Sequence, residues 1–230
     1  MPPENSNERE KRPVRIGILG AGNMADALGT QWTRAGHHVI VSGRDPAKAS
    51  ALAERLGPSA RSGTFAEATE FGDVVLVAVP HSAVADVLTA AGAEVGTLQG
   101  KVLIDCTNAV IPDRFTLDLP TGTSMAERIA GQAVGAHVVK AFNTCHESVW
   151  RSTPPVFDGR PLVVPLCGDD DEAIATVRSL VTDIGCVPAD GGPLERASLL
   201  EATTAFMIGL WFRGIDAQAM LPPQKYGTGG

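Results

Sequence analysis

The chain has 230 residues, is 44% hydrophobic, and carries 26 Asp and Glu against 19 Lys and Arg, a formal net charge of −7. That composition supports a sizeable core for one domain with an extension, and the charge argues against nucleic acid or an anionic membrane as the main partner, since both require a basic face. The four cysteines lie far apart with no C-x-x-C pair, which points to free thiols and a cytoplasmic, reducing location.

Residues 1–13, "MPPENSNEREKRP", are polar and charged throughout. They predict a disordered tail rather than a secretory signal, and no apolar run approaches the roughly 20 residues of a membrane span. From Val14 onward short apolar runs alternate with amphipathic stretches, the pattern of an α/β protein with a Rossmann-type, doubly wound parallel sheet. The strand candidates are "VRIGIL", "HVIVS", "DVVLVAV", "KVLIDC", "HVVKAF", "PLVVPLC" and "CVPAD". The helix candidates are "MADALGTQWTRAG", "PAKASALAERLG" with Pro46 at its first position, "SAVADVLTAAGAEV", and "TSMAERIAG" with Ser124 as cap. Further on come "GDDDEAIATVRSLVTDIG", whose aspartates suit a cap and first turn better than a metal cluster, and the apolar "LERASLLEATTAFMIGLWF". The expected organisation is a nucleotide-binding domain over 14–150, a small C-terminal α/β extension over 151–214, and a tail over 215–230.

Between the first strand and first helix, Gly20, Gly22 and Ala25 fill the G-x-G-x-x-A pattern. Gly20 allows the tight turn, Gly22 lets a pyrophosphate approach the backbone, and Ala25 lets helix pack closely on strand, so the segment predicts a dinucleotide site at a helix N-terminus. The end of the second strand selects the dinucleotide. An NAD site places a carboxylate there for the ribose 2′-OH, whereas this strand ends in Ser42, Gly43 and Arg44, with Lys48 one turn into the next helix. A hydroxyl, a guanidinium and an ammonium suit a 2′-phosphate, so NADP is favoured. Asp45 reads either as a ribose acceptor or, just before Pro46, as the cap of the next helix. The rest of the cofactor is expected over later strand ends, at Val79, Pro80 and His81, at Thr107 and Asn108, and at Ala141, Phe142 and Asn143.

Taken together, "GILGAGNM", "VSGRDPAKA", "GDVVLVAVP", "KVLIDCTN", "VVKAFNT", "CGDDDEA" and "ADGGPLERA" resemble, in order, the coenzyme F420-dependent NADP reductases and their bacterial relatives. The resemblance implies an NADP site at Gly20, Gly22, Asn23, Met24, Ser42, Arg44 and Pro80, with a deazaflavin stacked on the nicotinamide near Asn143 to Cys145. The apolar last helix is expected to pack on the body or on a second subunit, and a homodimer is the expected assembly. The reductase domain of the six-transmembrane metalloreductases is similar through the same "KAFNT" region and pairs NADPH with FAD. The opening also resembles that of pyrroline-5-carboxylate reductases, but those continue into a long helical domain where this chain reads strand, helix, strand, helix. The stretch "CHESVWRSTPPVF" and the C-terminal tail depart from the deazaflavin reductases and leave the second substrate open.

Hydride transfer between two flat rings needs donor and acceptor carbons stacked about 3–3.5 Å apart rather than an acid or base. No catalytic side chain is therefore required. Reduction of an imine or ketone would need a proton donor. His81 and His146 are the candidates, Lys140 reads as a strand-end lysine, and Tyr226, the only tyrosine, falls in the Gly-rich tail. The alternatives are a flavin or metal reductase, an imine reductase, and an NADP-binding sensor that does not turn its cofactor over.

Overall fold

A computed structural model describes residues 12–220; of the tails expected over 1–13 and 215–230, residues 1–11 and 221–230 lie outside the described residues, as does Tyr226. β1 (Arg15–Leu19) leads through a glycine turn into α1 (Asn23–Arg34) and then β2 (His38–Ser42). α2 (Pro46–Leu56), β3 (Ala60–Gly63), α3 (Phe65–Phe71), β4 (Val74–Val77), α4 (Val84–Ala90) and β5 (Val102–Asp105) follow. A hairpin of β6 (Val110–Ile111) and β7 (Thr116–Leu117) precedes α5 (Met125–Gln132) and β8 (His137–Lys140). The last third holds α6 (Glu147–Trp150), a hairpin of β9 (Val156–Phe157) and β10 (Arg160–Pro161), β11 (Val163–Gly168), α7 (Asp171–Asp183), β12 (Val187–Asp190) and α8 (Ala197–Trp211).

Eight strands form one sheet in the order β12-β11-β8-β5-β4-β1-β2-β3. The six from β3 to β8 are all parallel, the Rossmann order. β11 then joins antiparallel, pairing Cys167 with Lys140 and Gly168 with Val139, and β12 runs parallel to β11. The segment expected as an extension thus lengthens the same sheet, and a short helical turn at Ala217–Met220 with Ala217 buried continues beyond it.

Both faces of the sheet are covered because successive side chains point to opposite sides. Ile16, Ile18, Val74, Leu76, Ile104 and Leu166 share a core with residues of α1, α2 and α7, while Leu19, Val75, Val77, Leu103 and Val138 pack with α3, α4 and α5. Each of these strand residues, fully buried, contributes about 1.5–3 kcal/mol relative to exposure.

The helix starts follow local chemistry. Asp45 caps α2, accepting from Ala47 N at 3.0 Å, with Pro46 at the first helical position. Capping boxes open α3 (Thr64 with Glu67) and α5 (Ser124 with Glu127). Asp170 accepts from Ala173 N at 2.8 Å to cap α7, and neighbouring Asp169 accepts from Leu194 N at 2.8 Å. α8 is inverted: Glu201 and Thr204 are buried on its inner face, whereas Leu199, Phe206 and Trp211 are exposed.

Candidate functional site

At the end of β1, Gly20 has φ +137°, and a Cβ there would fall 2.2 Å from Ala78 O. Only glycine lets the turn come this close to the end of β4. Gly20 N donates to Ser42 O at 2.9 Å, so the ends of β1, β2 and β4 are drawn together where helices leave on opposite sides of the sheet. Gly22 is different. A Cβ there would meet nothing within 4 Å, so packing does not demand this glycine; its open face is toward the cleft. Gly22 is also the N-cap of the 12-residue α1, and no side chain caps that end. Backbone N–H groups and the helix dipole are left for an external anion, which fits the pyrophosphate of a dinucleotide. Ala25 is fully buried, and its small side chain lets α1 sit close on the sheet.

Gly20, Gly22, Gly43, Arg44, Asp45, Lys48, Val79 and Pro80 surround a cavity of about 350 Å³. The side chains of Arg44 and Lys48 are exposed and make no hydrogen bond or ion pair among the described residues. They are available to a 2′-phosphate. Asp45 is committed to capping α2, the second of its two readings. Ser42 is a correction: it is fully buried and its hydroxyl donates to Ile18 O at 2.7 Å, so it faces the β1 backbone and not a phosphate. Phe65, the first residue of α3, also lines this cavity and was not anticipated. The capping box "TFAE" was the signal that would have placed it.

Gly22, Val79 and Pro80 are shared with a second cavity of about 540 Å³, so the two form one cleft across the carboxyl ends of the strands. Asn23, Met24, His81, Thr107 and Asn108 line this end, together with Cys106, Val110 of β6 and Ile208 of α8, which sequence reasoning missed. Ala141 and Asn143 are not part of the lining. Ala141 is fully buried, and Asn143 is 3% exposed and is hydrogen-bonded to Asn108. Of the segment Asn143 to Cys145, where the resemblance implies a deazaflavin, Asn143 is buried and does not line this cavity, whose far end is formed by Asn108, Val110 and Ile208. His81 Nε2 lies 3.7 Å from Asp118 Oδ2, an ion pair when the ring is protonated. His146 is well exposed, caps α6 and contacts Glu147 Oε2 at 2.9 Å, apart from the cleft lining.

Beneath the floor lies a buried ionic cluster. Lys140 Nζ donates to Asp105 Oδ2 at 2.8 Å, to Glu201 Oε1 at 2.6 Å, and to Thr107 O. Burial opposes the ammonium, but Asp105 and Glu201 outweigh it and hold Lys140 above the ordinary lysine range. Burial pushes the Glu201 carboxyl up against the pull of Lys140. In the sequence only a lone lysine in a strand and a lone glutamate in an apolar helix hinted at the pair.

The parallel sheet with its glycine turn, and two free cations at the end of β2, define a dinucleotide-binding fold of the NADP-dependent oxidoreductase class. The family model for NADP oxidoreductase, coenzyme F420-dependent, matches residues 15–109. The F420-dependent NADP reductase of Methanothermobacter marburgensis is 31% identical over 214 residues, covering 86% of this chain and 92% of that one. Metalloreductase STEAP3 of Rattus norvegicus is 32% identical over 205 residues, 89% of this chain but 39% of that protein. The chain thus spans well under half the length of that relative. A crystal structure from Arthrobacter sp. FB24, assigned as an F420-dependent NADP reductase, superposes with a TM-score of 0.78 at 27% identity over 88% of this chain and 96% of that one. The chain belongs to the family of F420-dependent NADP reductases.

Proposed function

We propose that this protein transfers a hydride between NADP(H) and a deazaflavin, coenzyme F420, bound at the Asn108–Ile208 end of the cleft. The cofactor-binding residues are Gly20, Gly22, Asn23, Met24, Gly43, Arg44, Lys48, Val79, Pro80, His81, Thr107 and Asn108. NADPH supplies the hydride when bound, and the protein's part is to hold the two rings stacked and to keep water out. The observation that carries this reading is that the far end of the cleft is built from both halves of the chain, Asn108 and Val110 from one and Ile208 from the other. The likeness to the M. marburgensis reductase extends through both halves as well.

Reduction of a flavin or of ferric iron is the second reading, supported by the 32% identity to the rat metalloreductase over 89% of this chain. Among the described residues no helix is long and apolar enough to cross a membrane. We further propose that the protein acts in the cytoplasm as a homodimer, with the exposed apolar side chains of α8 as the contact; sedimentation equilibrium tests the subunit count. The deciding experiment is NADPH oxidation against coenzyme F420, FMN, FAD, a ferric chelate and a small cyclic imine. Turnover with F420 and not with the others is the expected result, and turnover only with FAD and ferric chelate would move the assignment to the second reading.

A further inference from the structure

Lys140, Asp105 and Glu201 are completely buried, and no step of hydride transfer uses them. We propose that this ionic cluster is the positioning device of the cleft: Lys140 and Glu201 hold the Thr107–Asn108 floor and the α8 wall in fixed register. Only the kinetic arm of its test rests on the hydride-transfer reading.

The ammonium of Lys140 has three N–H donors, and each has an acceptor: Asp105, Glu201 and the carbonyl of Thr107. Asp105 Oδ1 accepts from Thr107 N at 2.8 Å and from Thr107 Oγ at 2.7 Å. Thr107 is thereby held at its N–H and hydroxyl by one member of the cluster and at its carbonyl by another. Thr107 and Asn108 form the cleft floor.

Glu201 accepts from Met125 N at 3.0 Å and from Ala126 N at 3.4 Å, which fastens α8 to the start of α5. Ile208, seven residues along on the same face of α8, walls the cleft. One ammonium therefore ties together the floor loop, the wall helix and the α5 terminus. Two carboxylates share that single cation in a fully buried site, and apolar side chains of similar volume would serve stability as well or better. Directional bonds to a cleft-lining backbone carbonyl fix orientation, which apolar contact would not.

The test uses Glu201→Gln, nearly isosteric, and the double variant Lys140→Met/Glu201→Gln. Three quantities are measured: hydrogen exchange of amides in segments 106–109 and 204–209, NADPH affinity by fluorescence titration, and kcat and KM with coenzyme F420. Exchange in both segments should rise by about tenfold or more, since local opening reports lost anchoring. NADPH affinity should stay within about threefold, while kcat falls about thirtyfold or more because stacking geometry is lost. Unchanged exchange in both segments, or a lower melting temperature with kcat per folded site unchanged, would overturn the proposal. Should the double variant fail to fold, Glu201→Gln decides alone. If wild-type protein does not turn over F420, the hydride-transfer reading falls, and the exchange measurement still decides the role of the cluster.

Discussion

Asn108 and Asn143 are bonded to each other twice where β5 and β8 end: Asn108 Nδ2 donates to Asn143 O at 2.6 Å, and Asn143 Nδ2 donates to Asn108 Oδ1 at 2.9 Å. Asn143 Nδ2 also reaches Thr204 Oγ1 on α8 at 3.3 Å. The preceding Phe142 has φ +61°, a left-handed conformation that costs a non-glycine residue about 1–2 kcal/mol. Edge-on contacts of its ring with Trp32 and Trp150, at centroid distances of 5.8 and 5.4 Å, hold it there. The strained turn aims the Asn143 amide at the back of Asn108, which faces the cleft.

Asn143→Leu should therefore act through Asn108. Removing the amide takes away the bond to Asn108 Oδ1 and leaves that side chain held only through its Nδ2 to the Asn143 carbonyl; a misplacement of about 1 Å can cost a hundredfold in rate, so turnover should fall by at least about tenfold. NADPH affinity, set at the other end of the cleft, should remain within about threefold of wild type. A parallel loss of NADPH affinity in fluorescence titration would mean that Asn143 supports the whole cleft rather than its substrate end.

The unpaired Arg44 should read the 2′-phosphate. Arg44→Ala removes a charge-assisted contact worth about 1.5–3 kcal/mol, so NADPH should bind roughly ten- to a hundredfold more weakly. NADH should be almost unaffected. Ser42→Ala should leave the NADPH to NADH ratio alone, and its cost of about 1 kcal/mol should appear in the denaturation midpoint through the lost bond to Ile18 O. Equal weakening of both cofactors by Arg44→Ala, or a changed ratio in Ser42→Ala, would reverse these roles.

The sequence made the sheet legible wherever an apolar run was bounded by turn residues, as at "VRIGIL" and "DVVLVAV". It concealed β3, whose "ARSG" is a short edge strand with no apolar run, and α3, whose seven residues are too few for periodicity to register. The glycine turn was readable because Gly20 answers a local steric demand and the pattern around it falls between one strand and one helix. The far end of the cleft was not. Ile208 reaches it from α8 near the end of the chain, and Asn143 is buried in its bonds to Asn108 and Thr204; both are long-range facts that no window of sequence contains.

All four thiols are pushed up, chiefly by burial: Cys106 to about 12 and Cys186 to about 11, with Cys145 and Cys167 raised as well. At neutral pH all are protonated and poorly nucleophilic. Cys145→Ser should leave turnover within about threefold, because hydride transfer needs no thiolate. Iodoacetamide at neutral pH should label the native protein slowly and without matching loss of activity. A variant that binds NADPH normally yet is inactive would give Cys145 a role in the chemistry.

The alkaline limb of stability should report on Lys140. Its folded pKa is raised above the unfolded value by Asp105 and Glu201 despite the cost of burial. The unfolded chain releases this proton near pH 10.4, whereas the folded protein keeps it to higher pH. Between those two values the folded state binds more protons, so stability contributed by Lys140 is complete below about pH 10.4 and is lost as pH climbs through the folded value. Raised Cys106 and Cys186 act in the same direction from their own ordinary range upward, so the absolute slope mixes several groups. The comparison with Lys140→Met/Glu201→Gln removes the lysine's share, while the thiols of Cys106 and Cys167, which Lys140 pulls down, move further up. Urea midpoints measured from pH 8 to 11.5 should fall less steeply in the double variant, even though it starts from lower stability for want of a partner to Asp105. Parallel slopes in the two proteins would mean that Lys140 loses its proton in the folded state as readily as in the unfolded one, and that the cluster does not hold its charge.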